Sequence, residues 1–486
     1  MLTVNTHTRL LLLALFVLLG SLQGRAQTAL AQETLLFSTK EVPSSGGDTT
    51  RIYTITDVEV TGARRTREKV LYRELPFETG EELPLYEIVA RCTEARTRLM
   101  NTGLFLDVDV RVASTEDNDA RVLVTVQERW YFFPVPFVDV VGMPYQQWVK
   151  EGMPLANVKY GIRIKHKNIS GLNDKLTLNL TNGYQKEAQL IYEGLPLDNN
   201  LNWTFGFSLQ RGQQHDVTYG TEYNKPVGFH DGDRFIYKYS RAQAFVTFRP
   251  AIKTRHIFGI GYHDERVADT IASLNKAYLF ERNAVRYPEI FYQMQYLDLD
   301  FAPYPTRGMR AEVMVHKKGI KAPVNLWQLS ARASRYFPVT AKSFVNVLAT
   351  GLVKLPFRQP YPMQQFVGYN EMFLQGYEDY TIDGVAGGFV KASFHQRIVD
   401  RKVAGPRIKR LPQLRSVPVK IYAKAFANAG YIYNERPGTN FLNNRLLRSA
   451  GLGLDIVLFY DVTFRIEYSV NGNGQNGLYL HNKNRW

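Results

Sequence analysis

One cysteine, Cys92, is present in 486 residues, which excludes an intrachain disulfide framework and a cysteine-rich zinc site. Long apolar runs are also missing. The longest, Leu10 to Leu19, falls well short of the roughly 18 to 20 residues that a membrane-crossing helix needs. No His-Glu-x-x-His, Gly-x-Ser-x-Gly or Walker sequence occurs. The stretch Gly472-Asn473-Gly474-Gln475-Asn476-Gly477 has the spacing of a dinucleotide fingerprint, but no helix follows it, so it reads as a hairpin loop. His263-Asp264-Glu265 offers metal-ligating and catalytic residue types, yet successive strand residues point to opposite faces, and a solvated strand end is expected. No cofactor or catalytic activity is implied, and a membrane-embedded hydrolase lacks a Ser–His pair.

What is present is a strongly basic chain, net charge +15, rich in Tyr (29) and Phe (28). Lys and Arg are spread singly rather than gathered on one helix or loop, which argues against nucleic acid as a partner. Arg9, the apolar run behind it and the small residues up to Ala26 have the layout of a secretory leader over 1–26, with a flexible segment over 27–51.

From about residue 129 to 486 the chain alternates. Leu176, Leu178 and Leu180 interleave with Lys175, Thr177, Asn179 and Thr181; Trp327, Leu329, Ala331 and Ala333 with Gln328, Ser330, Arg332 and Ser334; Val462, Phe464, Ile466, Tyr468 and Val470 with Thr463, Arg465, Glu467 and Ser469. Strands are expected to begin near Trp130, Val158, Lys175, Glu187, Leu201, Arg234, His256, Glu289, Arg310, Asn325, Ser343, Gly387, Val417, Arg445, Val462 and Gly477. That is an even set of sixteen, as a single-chain transmembrane antiparallel β-barrel requires. A basic segment, Arg397, Arg401, Lys402, Arg407, Lys409, Arg410 and Arg415, falls where a turn is expected.

Ahead of the barrel, residues 52–128 read strand, helix, helix, strand, strand. Thr66 is placed to cap the first helix, Pro76 to stop it, and Ile88, Cys92, Ala95, Leu99 and Met100 form the apolar stripe of the second, over Leu85 to Thr102. Leu106 to Val110 and Val122 to Val126 follow as strands around a polar turn, Thr115 to Asp119. This order, with the run Thr102-Gly103-Leu104-Phe105-Leu106-Asp107-Val108-Asp109-Val110 after the second helix, resembles a POTRA domain. The resemblance implies a small α/β periplasmic module whose third strand leaves an edge for client segments to pair with; a plain spacer is the other reading.

Tyr304-Pro305-Thr306-Arg307-Gly308, after Asp298 and Asp300, resembles a turn motif of the BamA/TamA family of outer-membrane assembly proteins, and Asn168-Ile169-Ser170-Gly171 resembles another. Leu374-Gln375-Gly376-Tyr377 stands where that family carries Val/Leu-Arg-Gly-Phe/Tyr on a loop folded into the lumen, with Gln375 for the arginine. Phe426-Ala427-Asn428-Ala429-Gly430 matches the strand that receives the loop, with Asn428 for an aspartate. Both charges are gone together, which costs less than losing one, so Gln375 and Asn428 are expected to lie close in space as a neutral amide pair. Pro134 and Pro136 on the first strand remove two donors from one edge. The last segment, Leu478 and Leu480 through Trp486, contains the unfavourable Asn482-Lys483-Asn484-Arg485. A weak seam between first and last strands follows, unless the prolines belong to a linker and the end simply frays.

The resemblance implies an outer-membrane protein with its N-terminal domain in the periplasm, inserting or translocating unfolded outer-membrane or secreted clients, in contact with outer-membrane lipid and with periplasmic or lipoprotein accessory partners. The other expectation, from a different class, is a passive outer-membrane channel with a periplasmic anchor domain.

Overall fold

The computed structural model describes residues 50–114, 118–141, 152–153, 157–321, 323–369, 372–404, 416–458 and 462–481. The expected leader over 1–26, nearly all of 27–51, most of the 115–119 turn, Arg407, Lys409, Arg410, Arg415 and the chain end from Asn482 to Trp486 lie outside them.

The N-terminal module runs β1 (Ile52–Thr61), α1 (Glu68–Glu74), β2 (Glu82–Pro84), α2 (Leu85–Asn101), β3 (Phe105–Ser114) and β4 (Asp119–Glu128). Its sheet order is β2-β1-β4-β3, with β1 and β4 parallel. Two expectations change here. The third long strand, β4, is central and makes pairs on both sides, because its Val122, Val124 and Val126 are needed in the core; the outer edge belongs to β3. Thr66 caps nothing: the residue before α1 is Arg67, without a side-chain cap bond, and the Thr66 hydroxyl is spent on Glu128 instead. The 3.6-residue stripe on α2 buries Ile88, Cys92, Ala95 and Leu99 against β1, β3 and β4. Each such aliphatic side chain contributes about 1.5–3 kcal/mol. Burial pushes the Cys92 thiol up to about 12, so it belongs to the core as expected.

The remaining strands are β5 (Phe132–Val140), β6 (Val158–Lys167), β7 (Lys175–Gly183), β8 (Gln185–Pro196), β9 (Trp203–Gln214), β10 (Asp216–Glu222), β11 (Lys225–His230), β12 (Tyr237–Ala251), β13 (Thr254–Val267), β14 (Ala284–Leu299), β15 (Gly308–Lys321), β16 (Val324–Thr340), β17 (Ser343–Leu355), β18 (Gln365–Val367), β19 (Ile382–Asp383), β20 (Ala386–Ala404), β21 (Ser416–Tyr433), β22 (Leu446–Val457), β23 (Thr463–Asn471) and β24 (Asn476–His481), with a short helix α3 (Asp269–Leu274) after β13. Sixteen of them form one antiparallel meander from β5 to β24. Among the described residues no helix is long and apolar enough to cross a membrane.

Burial in this sheet is inverted relative to a water-soluble core. Leu180, Trp327, Leu329, Leu452, Tyr468 and Val470 are exposed, whereas Glu289, Lys424, Asp455 and Glu467 are buried. Apolar side chains face outward and charged ones inward, which is the arrangement lipid demands of a barrel wall. The inversion also corrects the reading of His263-Asp264-Glu265. Asp264 does face outward, to Arg266 and Arg286, but His263 and Glu265 are buried on the lumen side, His263 Nε2 at 2.6 Å from Glu289 and Glu265 bonded by Arg241, Tyr237 and Tyr287. Arg397, Arg401 and Lys402 likewise sit within β20 rather than on a turn, since this strand extends for 19 residues.

The sequence pattern announces no strands where the hairpin β10–β11 forms. Tyr223 and Asn224 both take positive φ (51° and 58°), the two-residue turn that suits twisted hairpins, and buried Asn224 accepts from Phe441 and Leu442 N–H. The hairpin thereby packs on the segment after β21.

The module is bound to the near end of the barrel, and Ile52–Trp486 is one unit. Within the module Glu128 accepts from the Thr66 N–H (2.7 Å), the Thr66 hydroxyl (2.7 Å) and the Arg65 N–H (3.1 Å), and the Thr66 hydroxyl oxygen so placed accepts across the junction from Asn168 Nδ2 at 2.9 Å. Glu74 pairs with Arg249, and Asn101 exchanges bonds with Leu299 and Ala302. Burial alone would raise the Glu128 carboxyl, but the donors from Thr66 and Arg65 outweigh it and hold the group below its ordinary 4.5. A depressed carboxylate stabilises the folded state above the unfolded value and loses that contribution as pH falls through the folded one. The stability of the module is therefore expected to be flat from pH 7 to 5 and to fall in more acidic solution. Limited proteolysis within the module, run against pH, measures this; Glu128→Gln is expected to flatten the acid limb, and an unchanged limb refutes the assignment.

Candidate functional site: the lumen loop and the strand edges

The 30 residues between β17 and β20 leave the barrel at its far end and return into the lumen. Leu374 and Tyr377 are buried there with Phe366, Phe389, Ile432 and Leu447. Gly376 has φ +88°, and a Cβ at that position would stand 2.8 Å from Ser449 Cβ, so only glycine lets the loop lie this close to the wall. Tyr377 grips the backbone of Arg448 twice, its hydroxyl donating to the carbonyl at 3.0 Å and accepting from the N–H at 3.1 Å. Asn471 Nδ2 donates to the Gly376 carbonyl at 2.8 Å.

The loop's hydrogen bonds fall on β22 and β23, and β21 meets it through Gly430. Gly430 faces Leu374, and a Cβ there would meet Phe389 Cβ at 2.9 Å; Phe426 fills the space beside Gly451. The amide pair, however, is not formed directly. Gln375 Nε2 donates to Glu467 Oε1 at 2.8 Å, and Asn428 Nδ2 donates to Ser449 Oγ at 3.0 Å, whose hydroxyl in turn donates to the Gln375 carbonyl. Gln375 and Asn428 line one cavity of about 440 Å³, joined through Ser449. The reason is reach: two strands further on, Glu467 offers a charged acceptor, and a hydrogen bond to a charge is stronger than one between neutral amides.

Lys424 is the centre of this cavity. Its ammonium bonds Asp455 at 2.7 Å and also Glu467, with all three side chains at most 4% exposed. Tyr304, from the turn motif at the opposite end, reaches into the same network: its hydroxyl donates to Asp455 Oδ2 at 3.0 Å and its ring packs on Phe344 and Tyr422. Asp300 fixes that turn by accepting from the Thr306 N–H at 3.0 Å and the Arg307 N–H at 3.2 Å. Pro305 also lines the cavity, and Gly308 has φ +109° with no room for a Cβ against the Asp298 carbonyl. The turn and the loop thus meet through one charged cluster.

The chain belongs to the Omp85 superfamily. The Omp85 superfamily domain model matches residues 168–471, more than half of the chain, and the POTRA model, surface antigen variable number repeat, matches residues 53–129. Among solved structures this Omp85 barrel is similar to BamA from Haemophilus ducreyi lacking POTRA domains 1-3 (14% identity, 88% of this chain and 83% of that one, TM-score 0.48). It is also similar to CdiB from Escherichia coli (11%, 99% and 98%, TM-score 0.48) and CdiB from Acinetobacter baumannii (12%, 88% and 74%, TM-score 0.47). No curated protein sequence matches the chain.

At the ends of the Omp85 sheet, Pro134 and Pro136 are strand residues opposite Ile164 and Ile162 of β6, not linker. Leu478 and Leu480 pair with Tyr468 and Ile466 of β23 and are 60% and 49% exposed, toward lipid. Among the described residues β5 and β24 make no pair with each other. Asp455, Glu467, Glu378 and His481 belong to no motif that the sequence displays. For Asp455, Glu467 and His481 the signal is nonetheless present, an ionisable group in the polar phase of a membrane strand, which is costly unless it serves something; Glu378, on the loop, carries none.

Proposed function

We propose that this Omp85 protein inserts or translocates unfolded outer-membrane or secreted clients, its POTRA module receiving them in the periplasm and the β5/β24 edges pairing with them. The observation that carries this reading is the sixteen-stranded sheet whose end strands are unpaired with each other among the described residues. An unpaired strand edge is a template for another strand. Two further features support it. The end strands are short, nine residues in β5 and six in β24 among the described residues, against 19 and 18 in β20 and β21, so each is held to its one neighbour by few ladder bonds. Among the described residues the module's outer strand β3 pairs on one side only and offers a second edge. No nucleotide motif is present, and the client's own folding supplies the driving force. Lipid and periplasmic or lipoprotein partners belong to the same proposal.

A photocrosslinking residue at Val135 or at Leu480, both outward-facing, is expected to capture nascent barrel or secreted chains in cells, and one at Ile290 on β14 is not. Equal labelling at all three positions, or outer-membrane proteomes unchanged on depletion, would sink the proposal; steady conductance with no adducts would point to the passive channel.

A further inference from the structure

Where the lumen loop meets the last strand, three ligand-type side chains converge on one another. Glu378 directly follows the Leu374–Tyr377 motif; its side chain is 8% exposed and neither carboxylate oxygen has a hydrogen-bond partner. Glu467 on β23 is 1% exposed, and its Oε1 takes Lys424 and Gln375, leaving Oε2 without a hydrogen bond. His481 on β24 brings Nε2 to 3.2 Å from Glu467 Oε2 and 3.8 Å from Glu378 Oε1, yet is aligned to hydrogen-bond neither. One donor atom from each of the three residues lies within 4.8 Å of the others. A carboxylate buried with both oxygens unsatisfied is costly, so a missing positive partner is the simplest account of Glu378.

We propose that Glu378, Glu467 and His481 bind a divalent transition-metal ion of the zinc class, clipping the last barrel strand to the lumen loop. Zinc takes imidazole nitrogen and carboxylate oxygen at about 2.0–2.2 Å, which puts tetrahedral ligand atoms roughly 3.3–3.6 Å apart. The 3.2 and 3.8 Å separations from His481 bracket that range, and the third, between Glu378 and Glu467, is within 4.8 Å and would shorten on binding. The imidazole selects against magnesium and calcium, which prefer all-oxygen shells. Three protein ligands leave the fourth position to water.

The surroundings suit a cation. Lys424 is shared between Glu467 and Asp455, Arg465 stands 3.8 Å from Asp455, and the Lys391 ammonium lies over the Phe373 ring. Glu378 has no ion-pair partner besides His481 among the described residues. Gln375 orients the Glu467 carboxylate by a hydrogen bond without adding a competing positive charge. An arginine there would place a fixed cation on a carboxylate that Lys424 already holds. The clip would act on a strand with a single neighbour among the described residues, held on its lumen side by the Phe373 ring against His481 (4.7 Å between centroids) and by the Tyr479 hydroxyl donating to Asp379 at 3.2 Å. The site stands on this geometry whether or not the protein handles clients.

The test uses the full-length, tag-free protein in detergent, stripped by a chelator and titrated with Zn²⁺ by calorimetry, with metal content measured after gel filtration. One Zn²⁺ per chain is expected, and millimolar Mg²⁺ should not displace it. His481→Gln, Glu378→Gln and Gln375→Arg should each weaken binding tenfold or more, and His256→Gln, on β13, should not. Heat-modifiable migration on gels establishes that each variant is folded. Zn²⁺ should also slow amide exchange across Asn476–His481 in the wild type and not in His481→Gln. Absence of stoichiometric binding, or binding by His481→Gln and Glu378→Gln equal to wild type, overturns the site and leaves an imidazolium between two carboxylates. Binding without slowed exchange overturns the clip.

Discussion

Replacing Lys424 with methionine is expected to lower the stability of the barrel by about 3–5 kcal/mol, the cost of leaving buried charge without its partner. Lys424 holds two carboxylates at once, Asp455 at 2.7 Å and Glu467, and both are 1% exposed. Methionine keeps the aliphatic stem and most of the volume, so packing changes little and the effect reports the charge. Asp455 retains the Tyr304 hydroxyl and Arg465 at 3.8 Å, and Glu467 retains Gln375, so the loss stays within that range. The measurement is equilibrium urea unfolding of the folded barrel in vesicles. Adding Asp455→Asn and Glu467→Gln to the Lys424→Met chain should recover much of the loss, since removing a whole buried set is far cheaper than breaking it. A Lys424→Met barrel within about 0.5 kcal/mol of wild type, the usual size of a surface substitution, would show the cluster to be wet and weakly coupled. The same variant should free the Leu374–Tyr377 loop, because Glu467 would then be shared only between Gln375 and the His481 side.

The second large effect is expected at the junction. Arg249 on β12 pairs with Glu74 of α1, contacts being 2.5 and 3.0 Å to the two oxygens, with Glu74 5% exposed. Arg249→Met should weaken docking of the module by about 3 kcal/mol, the lower end for a broken buried pair. The lower end applies because Arg73 stays beside Glu74; burial first and Arg249 second bring its guanidinium down to about 10. It also donates to the Arg249 carbonyl at 2.9 Å, a bond that survives the substitution. Protection of the module from protease, and its separate unfolding step in urea, read the change. Glu74→Gln combined with Arg249→Met is expected to restore much of it. If Arg249→Met leaves both readouts unaltered, docking rests on the Thr66–Asn168 contact and the Asn101 bonds to Leu299 and Ala302.

The sheet was legible because its physics is local. A wall between lipid and water forces apolar and polar residues to alternate with period two, and Leu329, Tyr468 and Val470 declare that pattern in the chain itself. The sixteen strand starts accordingly fall within a few residues of those observed, Val158, Lys175 and Ser343 at the residue. The α2 stripe was legible for the same reason, with a 3.6-residue period. The β10–β11 hairpin was not: its alternation is weak, Val217 is buried and Tyr219 and Phe229 are half-buried on other segments rather than against lipid, and no local rule separates that from a loop.

The candidate site divides in the same way. Leu374, Gly376 and Tyr377 could be named, since a glycine between large residues in a long loop carries its own signature. The partner of Gln375 could not. Parity marked Asn428 as inward, and Glu467 lay equally in the inward phase of its strand, but parity gives a face and no neighbour. Which inward side chain meets the loop depends on strand register, on the depth to which 30 residues fold back, and on the turn that delivers Tyr304 from the other end. The third strand of the module was misplaced for a kindred reason: sequence order does not reveal sheet order, and β4 is central because its three valines are buried on the core face.

By itself, then, the sequence determined what each segment must do with respect to water, lipid and its immediate neighbours: a wall of alternating strands, a small α/β module, a long loop with a tight glycine, two prolines on the first strand. Tertiary structure alone decided which charges meet. Lys424, Asp455, Glu467, Glu378 and His481 come from strands and a loop up to 103 positions apart, and the free energy of a buried charge depends on a few ångströms of separation that only the assembled barrel defines.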